Sequence, residues 1–98
     1  MSGLTRTSAD LSPRRRRILY HAWHRGTREM DLVLGRFVDA AIGDLDEAEL
    51  GTLEDVLEID DRALFAWIVG KETPPEGPAS PMIRRICAFH AAHPVAGD

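Results

Sequence analysis

Apolar residues recur along this chain at three- and four-residue spacing, the period of an amphipathic helix, and no run alternates convincingly as a strand does. Ser12-Pro13 opens the first predicted helix: the serine hydroxyl can accept an orphan N–H, and proline at the first helical position forfeits no hydrogen bond. Its stripe is Ile18, Leu19, Ala22 and Trp23, running to about His24, with Gly26 supplying the left-handed residue that commonly ends a helix. Thr27 caps a second helix bearing Met30, Val33, Leu34, Phe37, Val38 and Ala41, with Gly43 as its stop. Asp46 and Glu49 have capping-box spacing and open a third helix with Leu50, Leu53, Val56 and Leu57. Asp60 caps a short fourth helix holding Leu64, Phe65, Trp67 and Ile68, which halts at Gly70. After the Pro- and Gly-rich stretch KETPPEGPAS, Ser80-Pro81 repeats the first start signal for a fifth helix, with Met82, Ile83, Ile86, Cys87 and Phe89, ending before Pro94. The pattern implies an all-α fold, a compact five-helix bundle forming a single domain over 13–93 between flexible segments at 1–12 and 94–98.

Ninety-eight residues suffice for one small domain, with little left to wall off a deep catalytic cavity, so size favours surface recognition over chemistry. Cys87 is the only cysteine, which excludes an intramolecular disulfide or a multi-thiolate metal site within one chain and suits a reducing compartment. No apolar run approaches the ~18 residues that span a bilayer, and the N-terminal arginines precede no signal-type hydrophobic segment. Asp10 and the short lead also make a poor mitochondrial transit peptide, so the expected location is the cytoplasm, without membrane insertion. Charge is segregated: residues 1–28 carry seven Arg against one Asp, and residues 29–79 carry three basic against fourteen acidic residues. A dipolar surface of this kind suits steering toward a complementary protein.

The run Arg14 to Arg17 invites a nucleic-acid reading, but in the first turns of a helix it circles all faces, and the acidic remainder would repel a polyanion. It reads as a solvated or partner-facing run that wants an anionic partner, because positive charge near a helix N-terminus opposes the macrodipole. His21 with His24 and His90 with His93 stand three residues apart, a spacing that can serve a metal, but two ligands are not a site, and ordinary surface histidines are the reading. Trp23, Phe37, Phe65 and Trp67 suit the core better than an interface, although either tryptophan could sit half exposed at one. No nucleophile and base are assembled, and no phosphate-cradling loop is present, so no enzyme, resident cofactor or metal is expected. What stands out is Arg25-Gly26-Thr27-Arg28-Glu29-Met30-Asp31, two guanidinia and two carboxylates after the first and at the start of the second helix. The group reads as a capped turn held by a local Arg–Glu pair or, if exposed, as a docking platform on which Arg25 presents a bidentate fork. The residues alone also leave open another kind of helical interaction module, such as an antitoxin-like partner protein, and behind it a nucleic-acid binder.

The string HRGTREMD carries Arg-Gly-x-x-Glu as Arg25, Gly26 and Glu29, and residues 57–70, LEIDDRALFAWIVG, carry Leu-Glu-x-Asp-Asp-x-x-Leu-Phe-x-Trp. In both motifs, over roughly residues 14 to 91, the chain resembles the succinate dehydrogenase assembly factors that promote covalent flavin attachment, bacterial and mitochondrial alike. It departs at Arg62, where many members have proline. The resemblance implies a helical bundle that binds the flavoprotein subunit of succinate dehydrogenase, with the fumarate reductase flavoprotein as a second candidate client. It implies no stably bound cofactor, since the FAD becomes attached to the client. Arg25, Gly26 and Glu29 are then the expected partner-binding residues, with Arg28 and Asp31 added by position.

Overall fold

A computed structural model describes residues 11–94. They form α1 (Pro13–Trp23), α2 (Arg28–Ala41), α3 (Glu47–Leu57), α4 (Asp61–Ile68) and α5 (Ser80–Ala92), with no strand among the described residues. The all-α bundle is the one the periodicity implies.

The starts of four helices follow from side chains that satisfy orphan N–H groups, each cap being worth ~1 kcal/mol. The Ser12 hydroxyl accepts from Arg15 N at 3.3 Å and the Thr27 hydroxyl from Met30 N at 3.3 Å. Asp46 and Glu49 cap reciprocally at 2.8 and 2.9 Å, and Asp60 accepts from Arg62 N and Ala63 N. The fifth start differs from expectation. Ser80 N–H bonds back to Gly77 O at 3.0 Å, which winds the chain one residue earlier. Ala79 therefore takes the cap position without any side-chain bond, and Ser80 is buried inside the helix.

Gly26 and Gly70 adopt positive φ, as expected of residues that end helices. Gly43 does not; α2 closes instead on the turn Asp44 N to Ala41 O at 2.9 Å, and the Arg15 guanidinium donates to Ile42 O.

The core is built on α2, whose Val33, Leu34, Phe37 and Val38 are all at most 5% exposed. α2 packs against α1 and α5, while α3 lies on α1 and α5, and α4 lies on α5. Gly35, buried in the middle of α2, has a specific cause. A Cβ there would lie 2.3 Å from Trp23 Cδ2, so the indole of α1 occupies the space a side chain would fill. Leu11, expected in a flexible segment over 1–12, lies in the core with Ser12 capping beside it. The rest of that segment and residues 95–98 fall outside the described residues.

The arginine run finds its anions within the chain. Arg14 forks the Glu54 carboxylate at 3.1 and 2.7 Å and reaches Glu47 at 2.7 Å, while Arg16 donates to Leu11 O at 2.9 Å. With Arg15 on Ile42 O, the expectation of a merely solvated or partner-facing run is corrected for Arg14 and Arg15, while Arg16 and Arg17 stay exposed. The hydrogen bond from Arg14 holds the Glu54 carboxyl below its ordinary range, and the same bond raises the Arg14 guanidinium.

Candidate docking site

The turn between α1 and α2 is fixed by the residue expected to face outward. The Arg25 side chain is 6% exposed and lies across the junction of α3 and α4, 32 to 36 residues further along the chain. Its Nε and Nη2 donate to Asp61 Oδ1 at 3.1 and 2.6 Å, and its Nη1 donates to Leu57 O at 2.7 Å. Nη2 also reaches Ile59 O at 3.5 Å, and Nη1 meets His21 Nε2 at 3.2 Å, where the ring nitrogen must accept because a guanidinium only donates. One planar fork thus satisfies the carbonyl end of α3 and the first-turn carboxylate of α4 together. Asp31 is engaged as well: its carboxylate accepts from the Arg25 backbone N–H. The reading in which Arg25 offers a free fork to a partner is corrected, as is the local Arg–Glu pair, because the carboxylate that Arg25 grips is Asp61.

Gly26, Arg28 and Glu29 remain on the outside of this weld, and all three are exposed. Gly26 adopts φ 111°, which a residue with a Cβ rarely does, so the glycine lets the chain reverse between the helices. Glu29 lies in the first turn of α2, where the helix dipole favours a carboxylate, and no described residue hydrogen-bonds or pairs with its side chain. Beside it an open groove of about 270 Å³ runs between the starts of α2 and α4, lined by Thr27, Glu29, Met30, Asp61, Arg62 and Phe65. Met30 and Phe65 supply its apolar floor, with the Glu29 carboxylate contributed by one helix and the Arg62 guanidinium by the other. A groove of that volume has room for a single side chain.

Sequence reasoning did not bring Asp61, Arg62 and Phe65 of α4 beside the Thr27–Met30 turn. The signal was present in the paired aspartates of the second motif, whose first member caps α4 while the second grips Arg25.

The remaining candidates disperse. His24 Nδ1 donates to Tyr20 O at 2.7 Å while His21 serves Arg25, so the two rings have separate partners. His93 Nδ1 donates to Phe89 O at 3.1 Å, and among the described residues no three His, Cys, Asp or Glu are grouped to hold a metal. Cys87 sits half-buried on α5 with its thiol 3.6 Å from Trp67 O, and burial pushes that thiol above its ordinary value, away from the reactive thiolate. Trp23 and Trp67 are both half-buried against the core.

Comparison with known proteins adds a family and named relatives. A family model described as flavinator of succinate dehydrogenase matches residues 16–90. The FAD assembly factor SdhE of Acetobacter pasteurianus is 42% identical over 77 residues, covering 79% of this chain and 71% of the relative. The mitochondrial succinate dehydrogenase assembly factor 2 of Arabidopsis thaliana is 38% identical over 64 residues, covering 65% of this chain. Its counterpart in Cryptococcus neoformans is 35% identical over 72 residues, covering 74% of this chain. The chain spans 34% and 41% of the length of these two mitochondrial relatives. No solved structure matches the chain.

Proposed function

The chain belongs to the flavinator of succinate dehydrogenase family, and from that premise we propose that it docks on the flavoprotein subunit of succinate dehydrogenase and promotes covalent attachment of FAD to it. The observation that carries the docking mode is the exposed Glu29 carboxylate, set without a partner among the described residues beside an apolar groove on a turn that Arg25 holds rigid.

Gly26, Arg28 and Glu29 meet the client, whereas Arg25 and Asp31 act one step back by fixing the turn. A rigid turn pays little ordering entropy on binding, so more of each contact appears as affinity. The chain works by binding the attachment-competent arrangement of the subunit better than the others, which shifts the population toward it, and the subunit itself forms the bond. The groove is shallow-sided, with Met30 and Phe65 as its apolar floor, which suits a docked side chain from the subunit. The fumarate reductase flavoprotein is a second client in this reading, and the cytoplasm is the place of work. No helix among the described residues is long and apolar enough to cross a membrane.

The test mixes the purified chain with the flavin-free subunit and FAD and follows flavin fluorescence retained by the denatured subunit. The wild-type chain should associate with the subunit and accelerate attachment. Glu29→Ala should fold normally yet bind roughly fivefold more weakly or worse, as truncation of an interface anchor does. A wild-type chain that neither associates nor accelerates would refute the function. A Glu29→Ala chain as active as wild type would remove this turn from the interface.

A further inference from the structure

Eighteen residues from Leu11 to Arg28 contain six arginines and no carboxylate. Arg14, Arg15 and Arg25 are consumed internally, but the outward side of α1 is not covered by any described element. Ile18, Leu19 and Ala22 define its buried side, and at 100° per residue Arg16, Arg17, Tyr20 and His24 fall on the opposite one. All four are exposed. Tyr20 is 66% exposed, a large aromatic surface left in water on a small domain.

Tyr20 is also held in place. The His24 ring stacks on it with centroids 3.8 Å apart and an 18° interplanar angle, and His24 Nδ1 is itself tied to Tyr20 O. The two rings therefore form a fixed slab, flanked by Arg16, which spends one N–H on Leu11 O, and by Arg17, whose charge also reaches Glu54. A rigid aromatic platform beside guanidinia is the composition of an interface anchor. The slab ends one residue before Arg25, so along the chain it adjoins the Gly26–Glu29 turn.

We propose that the Arg16–Arg17–Tyr20–His24 face of α1 is a second contact with the client, receiving an acidic segment of the flavoprotein beside the site docked by the turn. This rests on the client reading above. Charge selects the occupant: the stripe is cationic while residues 29–79 of the same chain carry a net −11, three basic against fourteen acidic, so the molecule meets its partner basic side first. A nucleic acid fits poorly, since α1 is ~16 Å long at 1.5 Å per residue and most of the other surface repels phosphate.

The experiment measures binding of the full chain to the purified flavoprotein subunit at low and high salt, with Tyr20→Ala, Tyr20→Phe and Arg17→Gln beside wild type. Circular dichroism verifies that each exposed-site variant folds. Tyr20→Ala should bind roughly fivefold more weakly or worse while Tyr20→Phe stays near wild type, because the ring and not its hydroxyl makes the contact. Arg17→Gln should lower the association rate and flatten its salt dependence. If wild type and Glu29→Ala differ in client binding while Tyr20→Ala matches wild type, the α1 contact is overturned and the docking turn stands. If wild type binds no client, both readings fall together. A Tyr20→Ala variant that breaks a wild-type dimer while leaving client affinity unchanged would reassign the face to a second copy of this chain and overturn the proposal.

Discussion

Replacing Arg25 separates a strut from a docking contact, because the two roles put the loss in different measurements. Arg25→Ala leaves Asp61, 28% exposed on its side chain, with no cation, and takes donors from Leu57 O and Ile59 O. Breaking a buried pair from one side costs about 3–5 kcal/mol, whereas losing an exposed pair costs at most about 1 kcal/mol. The guanidinium is 6% exposed, which places it in the first class, but the partial access of water to Asp61 moves the cost to the lower end, about 3 kcal/mol. For a domain of this size that is roughly a 12–24 °C fall in Tm. Arg25→Lys keeps the charge but cannot fork to a carboxylate and two carbonyls at once, so it should fall between. Adding Asp61→Asn to Arg25→Ala should lose less than the two single changes summed, with a coupling of about 1–3 kcal/mol. Urea unfolding followed by tryptophan fluorescence measures all four corners. Arg25→Ala unfolding within about 0.5 kcal/mol of wild type, the margin of an ordinary surface change, would refute the strut and return Arg25 to the partner surface.

Gly35→Ala drives a Cβ into the Trp23 indole and should cost about 1–3 kcal/mol despite the better helix propensity of alanine, with red-shifted tryptophan emission; an unchanged spectrum and midpoint would contradict the packing. Gly26→Val places a β-branched residue at φ 111° where nothing lies within 4 Å of the added Cβ, so only backbone strain of about 1–3 kcal/mol should appear in thermal melts. Glu54 binds its proton less readily folded than unfolded, because Arg14 holds the ionised form. Its contribution to stability is therefore present above the ordinary value of 4.5 and lost as pH falls below it. Wild type should exceed Glu54→Gln in stability at neutral pH, and the gap should close in acid; a gap that persists there would rule out the ion pair as its source.

The helices were legible because their signals are local. Ser12, Thr27, Asp46 with Glu49, and Asp60 each act within three residues of themselves, and the apolar stripe of α2 repeats over three turns. Ser80-Pro81 carries the same dipeptide as Ser12-Pro13 and still fails as a cap, because the turn from Gly77 decides where winding begins. The site was half legible. Glu29 and Gly26 could be placed on a turn from neighbouring residues alone, but whether Arg25 faces solvent depends on where a helix start 36 residues away comes to rest. Arg14 and Glu54, 40 residues apart, escaped for the same reason. A glycine midway along an otherwise good helix was the available sign that Trp23 lies on Gly35.

The bond from Arg25 to Asp61 also orders events during synthesis. Thirty-six residues separate the two, which at ~5–20 residues per second is roughly 2–7 s of translation during which the guanidinium has no carboxylate to hold. The nascent turn stays pliant until α4 has emerged from the ribosome, so its stiffness belongs only to chains grown past Asp61.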